Sequence, residues 1–205
     1  VVALSGNYQS GADILLFTDK NGITGTWDDS TGILTLSGTS SVANYQAALR
    51  SIKYFNSSDN PSTLTRTVAF TVNDGDLNSI TLTRSIIITA VNDIPVLSGI
   101  ETAPLQYTEN DEAASITGTM VITDPDDINI ESAVIRISDN YKIGQDILSF
   151  TDVNGITGSW NGGTGILTLT GTSSLTNYQA ALRSVAYWNS SDIPSTQTRT
   201  VSFVV

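Results

Sequence analysis

The apolar positions of this chain change period repeatedly, and each change marks a new element. Residues 13 to 19 (DILLFTD) and 32 to 36 (GILTL) are short apolar runs of β type. Asn21-Gly22 between them tolerates the positive φ of a tight hairpin. Residues 39 to 41 (TSS) supply hydroxyls suited to a helix N-cap. Val42, Tyr45, Leu49 and Ile52 follow at spacings of 3, 4 and 3, one amphipathic stripe on a helix of roughly three turns. Residues 54 to 56 leave that helix, and Pro61 holds a loop open. Val68, Phe70 and Val72 then alternate with Thr67, Ala69 and Thr71, the period of a strand with one buried face. NDGD at residues 73 to 76 turns the chain, and residues 79 to 91 (SITLTRSIIITAV) read as a long closing strand.

VNDIP at residues 91 to 95 is a short, stiff join, because Pro95 fixes its own φ and biases Ile94 toward extended geometry. It places a boundary near residue 93 and predicts two domains, 1–93 and 94–205. The second opens with residues 105 to 107, an acidic TEND at 108 to 111, a strand at 115 to 123, DPDD at 124 to 127 and a strand at 132 to 137. Many short strands with closely spaced turn signals predict an all-β fold of β-sandwich repeats, each with one short helix.

Residues 138 to 205 then repeat residues 5 to 72 at a constant offset of 133, without insertion or deletion, and only 20 of the 68 paired positions differ. A period this long is a whole domain, since solenoid and propeller repeats run at roughly 20 to 50 residues. The first domain lacks opening strands of the kind seen at 105 to 137. The chain reads as a fragment of a longer tandem array, each domain truncated at one end.

Composition narrows the chemistry. With no His and no Cys, a Ser-His-Asp triad, a Cys nucleophile, a disulfide framework and a zinc site of the usual ligands are absent by inventory. No lysine occupies the same position in both copies: Lys20, Lys53 and Lys142 face Val153, Ala186 and Gln9. No apolar run of about 18 residues is present to span a membrane. The net charge of −11 argues against nucleic acid as a partner. That charge is uneven, because residues 73 to 137 hold 11 of the 20 acids and only Arg84 and Arg136, which gives 2 − 11 = −9. Such self-repulsion calls for a cation.

The acids fall into four clusters at expected turns: Asp74 and Asp76 in NDGD, Asn92 and Asp93 in VND, Glu109 and Asp111 in TEND, and Asp124 and Asp126 in DPDD. Calcium takes six to eight oxygens, and carboxylates at i and i+2 with Asn and backbone carbonyls supply them from bent backbone. Any one cluster alone reads equally well as ordinary turn chemistry. The four together with the charge imbalance point to Ca2+, although none matches the EF-hand loop. Asp13 and Asp146 open the same strand in both copies and suit a turn cap or a local ion. Trp27 and Trp160 hold equivalent positions and suit core packing or a sugar-stacking platform. The carboxylates also suggest a glycosidase pair, but at turns, without an apolar pocket to perturb them, that chemistry is disfavoured.

The order of a Glu-Asn pair, an Asp-x-Asp one strand later, a V-N-D-G-D strand end and a V-N-D-x-P linker resembles the cadherin-like tandem repeats of large bacterial surface and secreted proteins. NYQAALRSIKYFN followed by RTVAFTVNDG also resembles the chondroitin-sulfate-proteoglycan type repeat. The resemblance covers essentially the whole chain. It implies a cadherin- or immunoglobulin-like sandwich, with Asn92 and Asp93 as linker ligands, Asp124 and Asp126 as ligands from the following domain, and Glu109 as a base-of-domain ligand. Asp59 and Asp192 stand roughly where cadherins place an Asp-Arg-Glu motif that this chain lacks, and NDGD departs from the family's Asp-Gly-Gly. The implied function is a non-catalytic, calcium-stiffened extracellular spacer or adhesion repeat at a cell surface. Its partners would be neighbouring repeats, with self-association or a surface glycan or protein as further options. The alternative is a carbohydrate- or protein-binding module using the loops near Trp27 and Trp160.

Overall fold

The computed structural model describes residues 1–205 and divides into two units, Val1–Asn92 and Asp93–Val205. In the first, strands β1 (Val2–Gly6), β3 (Thr24–Asp28), β4 (Ile33–Ser37), β6 (Arg66–Phe70) and β7 (Leu82–Ile86) form an antiparallel sheet of order β3-β4-β1-β6-β7. A second sheet pairs β2 (Asp13–Leu16) with β5 (Lys53–Asn56). Val2, Leu4, Leu34 and Val68 from the first sheet meet Leu15 from the second in one core, as a sandwich requires. Helix α1 (Val42–Arg50) links β4 to β5, with Ser41 as N-cap accepting the Asn44 N–H at 3.2 Å.

The second unit rebuilds this plan. It begins with β8 (Val96–Ser98), β9 (Ala114–Ser115) and β10 (Val121–Thr123), followed by β11 (Asn129–Asp139), β12 (Asp146–Ser149), β13 (Thr157–Asn161), β14 (Ile166–Ser174), α2 (Leu175–Ser184), β15 (Ala186–Asn189) and β16 (Thr200–Val204). The sheets run β13-β14-β11-β16 and β12-β15-β9, with β10 paired to β8. The larger core includes Ile135, Ile137, Leu148, Leu167, Leu169 and Leu182. All strand pairs are antiparallel, so the all-β sandwich-like architecture with one short helix per unit is as expected.

Three local expectations change. The runs at 13–19 and 32–36 do not form one hairpin: β2 and β4 lie in different sheets, and Asn21-Gly22 instead joins β2 to β3. Lys20 and Ile23 exchange backbone hydrogen bonds at 3.0 and 2.8 Å around it, with φ of 53° and 74° at Asn21 and Gly22. That is the positive-φ pair of a two-residue hairpin turn. The strand expected over 115–123 is broken into β9 and β10, because Thr117 Oγ1 takes the Met120 N–H and bends the chain there. The strand expected over 79–91 is ordered as a ladder only over β7.

Two devices recur in both copies. Gly38 and Gly171 sit at φ of 136° and 128° directly over the Asn-Gly turns, where a Cβ would stand 2.0 Å from the Gly22 carbonyl oxygen and 2.2 Å from that of Gly155. The other is a buried ion pair. Asp13, fully buried, accepts from Arg66 Nε at 2.9 Å, Gln9 N at 2.8 Å, Tyr54 Oη at 2.5 Å and Asn56 Nδ2 at 2.6 Å. Arg66 Nη1 donates to the carbonyls of Ser62 and Leu64. Asp146 repeats the pattern with Arg199, Lys142 N, Tyr187 and Asn189. Burial alone would push the Asp13 carboxyl up, but the Arg66, Tyr54, Gln9 and Asn56 donors outweigh it and hold it below the ordinary aspartate value.

Removing one partner of a buried pair leaves the other charge uncompensated, which costs about 3–5 kcal/mol. Asp13→Asn is therefore expected to lower the unfolding free energy of the first unit, read from urea titration, by that order. Because the folded carboxyl lies below the unfolded value of about 3.9, its contribution is complete above that pH and is lost as pH falls through the folded pKa. The acid limb of stability should accordingly be shallower in Asp13→Asn than in the parent. An identical limb would mean the carboxylate is not ionised in the fold. Gly171→Ala should cost at least about 2 kcal/mol, from a strained φ together with the clash. A surface control, Gly118→Ala, where a Cβ would meet nothing nearer than Glu101 Oε1 at 3.8 Å, should leave the melting temperature nearly unchanged.

Candidate metal centre

Strand β10 ends at Thr123, and the next four residues, Asp124, Pro125, Asp126 and Asp127, fold into a carboxylate cluster at its end. Pro125 has no N–H to continue the ladder. Asp124 Oδ1 instead accepts the N–H groups of Asp126 at 3.1 Å and Asp127 at 2.9 Å, the turn an Asx residue makes with its own backbone. One ligating oxygen from each of Asp124, Asp126 and Asp127 lies within 4.8 Å of the others. Asp126 Oδ2 accepts the backbone N–H of Asp93 at 3.1 Å, fastening the opening residue of the second unit to the cluster. Asp126 Oδ1 is buried and has no hydrogen-bond partner.

The electrostatics favour a cation. The Asp127 N–H, working with that of Asp126 against partial desolvation, holds the Asp124 carboxyl below the ordinary range, so it is ionised at neutral pH. No basic side chain pairs with the cluster, since the ion pairs of the chain are Asp13–Arg66 and Asp146–Arg199. A buried acceptor without a donor loses the full hydration of that atom. The donor set is all hard oxygen, which fits calcium and not a soft metal. Asp124, Asp126 and Asp127, with carbonyls of the bent backbone, are the residues that would hold such an ion.

The remaining acidic positions lie elsewhere. In the first unit, Asp74 Oδ1 accepts from Asp76 N at 3.0 Å and Leu77 N at 2.9 Å, and Asn73 Oδ1 from Gly75 N at 2.8 Å, so NDGD is a tight Asx turn. Those donors, Leu77 first, hold the Asp74 carboxyl low. Asp59 is exposed in the loop after β5. In the second unit, Asp111 Oδ2 accepts the Thr108 N–H at 3.3 Å, while Glu109 and Asp192 are exposed. None of Asp59, Asp74, Asp76, Glu109, Asp111 or Asp192 joins a group of three ligating side chains. Asn92 closes the first unit, one residue before Asp93.

Asp127 joins the cluster although the i, i+2 spacing does not select it; its signal was the run of acids behind a proline. The role of Asp13 and Asp146 was half legible. Each does cap a turn, at Gln9 and Lys142, but the arginine partners 53 residues on show only as an Arg duplicated at the common offset. Trp27 and Trp160 are half-buried and meet Tyr8 and Tyr141 edge-to-face, at 6.0 and 6.2 Å between ring centroids. Both rings pack against their cores, as the packing reading requires. No helix is long and apolar enough to cross a membrane.

Similarity to known proteins is confined to part of the chain. No protein-family profile and no solved structure matches it. Over 91 residues, 42% of this chain, it is 34% identical to halomucin of Haloquadratum walsbyi. That stretch spans 1% of halomucin, so the likeness is to a small piece of a very long protein.

Proposed function

We propose that this chain is a non-catalytic repeat segment of a long extracellular surface protein, in which calcium bound by Asp124, Asp126 and Asp127 stiffens the start of the second unit around Asp93. The observation that carries the reading is the buried, unpartnered Oδ1 of Asp126 inside a group of three carboxylates. Tandem duplication and the likeness to a piece of a very long protein support the repeat role. A cadherin-like spacer uses calcium in this way, and the order of acidic motifs supports that comparison. Calcium is scarce in the cytosol and abundant outside, so a metal that completes a fold favours ordering after export. Asn92 and Asp93 are the linker residues through which an ion at the cluster would restrain the join, and projection of a terminal binding module is the task such stiffness serves.

A ligand that binds only the folded state adds about 2.7 kcal/mol at a hundredfold excess over its Kd. The second unit should therefore melt several degrees higher in millimolar calcium than in EDTA. Asp126→Asn should abolish that difference, and Asp76→Asn in the first unit should leave it intact. Equal melting temperatures with and without calcium would refute the metal. Small-angle scattering supplies a separate check on stiffening: removing calcium, or replacing Asp124 and Asp126 together by Asn, should broaden the distribution of maximum dimensions while circular dichroism stays that of a folded β protein.

A further inference from the structure

One difference between the copies is a carboxylate that only the first carries. Five of the 20 substitutions fall on two facing loops: Gln9 and Ser10 become Lys142 and Ile143, and Asp28, Asp29 and Ser30 become Asn161, Gly162 and Gly163. In the first unit the Asp29 carboxylate is gripped by the opposite loop. Both of its oxygens accept the Gly11 N–H at 3.1 Å, Oδ2 accepts Ser10 Oγ at 3.0 Å, and Oδ1 accepts Tyr8 Oη at 3.1 Å. The Gly11 N–H first, then Ser10, Tyr8 and the Trp27 indole, hold this carboxyl below the ordinary aspartate value.

The second unit keeps the frame without the anion. The Asn161 carbonyl accepts the N–H groups of Thr164 at 3.2 Å and Gly165 at 3.0 Å, as the Asp28 carbonyl does for Thr31 and Gly32. Tyr141 Oη donates to the Gly162 carbonyl at 2.6 Å, as Tyr8 does to that of Asp29. Gly144 and Trp160 hold the places of Gly11 and Trp27, but neither the Gly144 N–H nor the Trp160 indole N–H has an acceptor in the protein. The indole nitrogen lies 3.4 Å from where a Cβ on Gly162 would stand. Local charge changes sign as well: two acids and no base in the first pair of loops become one base, Lys142, and no acid in the second. Every group compared lies inside the duplicated stretch. Ser10 and Gly11 are exposed in the copy that β7 follows, and Ile143 and Gly144 are exposed in the copy that β8 to β10 precede.

We infer that the loops 141–144 and 160–163 of the second unit bind a carboxylate supplied from outside, the side chain of an aspartate or glutamate on another polypeptide chain. The Gly144 N–H and the Trp160 indole N–H donate to it, Lys142 supplies the attracting charge, and Ile143 meets its methylene stem. Two observations favour a polypeptide over an acidic sugar. The group that stands here in the first copy is itself an aspartate on a turn, and the Ser10 hydroxyl, which a saccharide could bond, is replaced by the exposed apolar Ile143. An ionised acceptor takes such donors more strongly than a neutral amide, so the two chemistries separate cleanly. The inference stands apart from calcium, because none of these groups belongs to the acidic cluster.

The test titrates a blocked glutamate, N-acetylglutamic acid N-methylamide, and its glutamine counterpart into the 15N-labelled 205-residue chain. The expected result is saturable shifts of the Gly144 amide and the Trp160 indole N–H with the glutamate and not with the glutamine, and no response at Gly11 or Trp27. Gly162→Asp supplies the carboxylate from within, at a residue whose Cβ would meet only Trp160 Nε1. It should leave the fold intact and weaken binding by about tenfold or more, as the loss of one charge-assisted hydrogen bond implies. Lys142→Gln should weaken binding and flatten its dependence on salt. The inference is overturned if Gly144 and Trp160 do not shift saturably, if the glutamine compound shifts them equally, if Gly162→Asp binds as tightly as the parent, or if glucuronate saturates the site and the blocked glutamate does not.

Discussion

A buried aspartate–arginine pair holds each repeat together. In the first copy Asp13 opens β2, Tyr54 and Asn56 lie on β5, and Arg66 opens β6, so one carboxylate ties both sheets to the loop between Ser62 and Leu64. Taking two charges out of water costs several kcal/mol per ion. The cost is offset here because the carboxylate has a donor on every side and Arg66 Nε and Nη1 are satisfied, leaving only Nη2 without a partner. The same geometry recurs at Asp146, with Nη2 of Arg199 likewise unpaired. Such a network specifies register more than it adds stability, since another strand pairing would not bring all four donors to one carboxylate.

This constraint explains which features were readable in advance. The helix was legible because its Ser cap and the half-buried Tyr45 and Leu49 are local, and Ser41 and Ser174 both cap as their position implies. Of the expected stripe, however, Val42 is exposed and Ile52 lies past the helix end at Arg50. The Asn-Gly turns were legible as turns but not as to which strands they join. Both Asn21-Gly22 and Asn154-Gly155 close very short hairpins whose first arm is a single bridge residue, too brief to show a period. The strand expected over 115–123 was legible only as one run, because the two- and three-residue ladders of β9 and β10 are too short to show separate periods. Their break at Thr117 depends on a hydroxyl bonding three residues ahead, which composition does not reveal. The Asp–Arg network escaped because its partners are far apart in sequence. Internal duplication, by contrast, needs no structure to be seen.

The acidic positions separate by the same logic. NDGD and DPDD look alike as strings, and in both an Asp accepts backbone N–H groups two and three residues ahead. They differ in what the turn leaves over. At NDGD the bonds close within the turn, whereas at DPDD three carboxylates converge and one buried oxygen is left without a donor. A turn explains the backbone of both sites but the leftover oxygen of neither, and only the second site has one.

The central claim is that this oxygen ligates calcium in the folded repeat. The most direct measurement is an anomalous difference map from crystals of the chain grown in millimolar calcium. The account predicts a peak about 2.3–2.6 Å from Asp126 Oδ1, shared with Asp124 or Asp127. A map with no peak there, and Asp126 Oδ1 bonded to a water or to a side-chain donor, would contradict it.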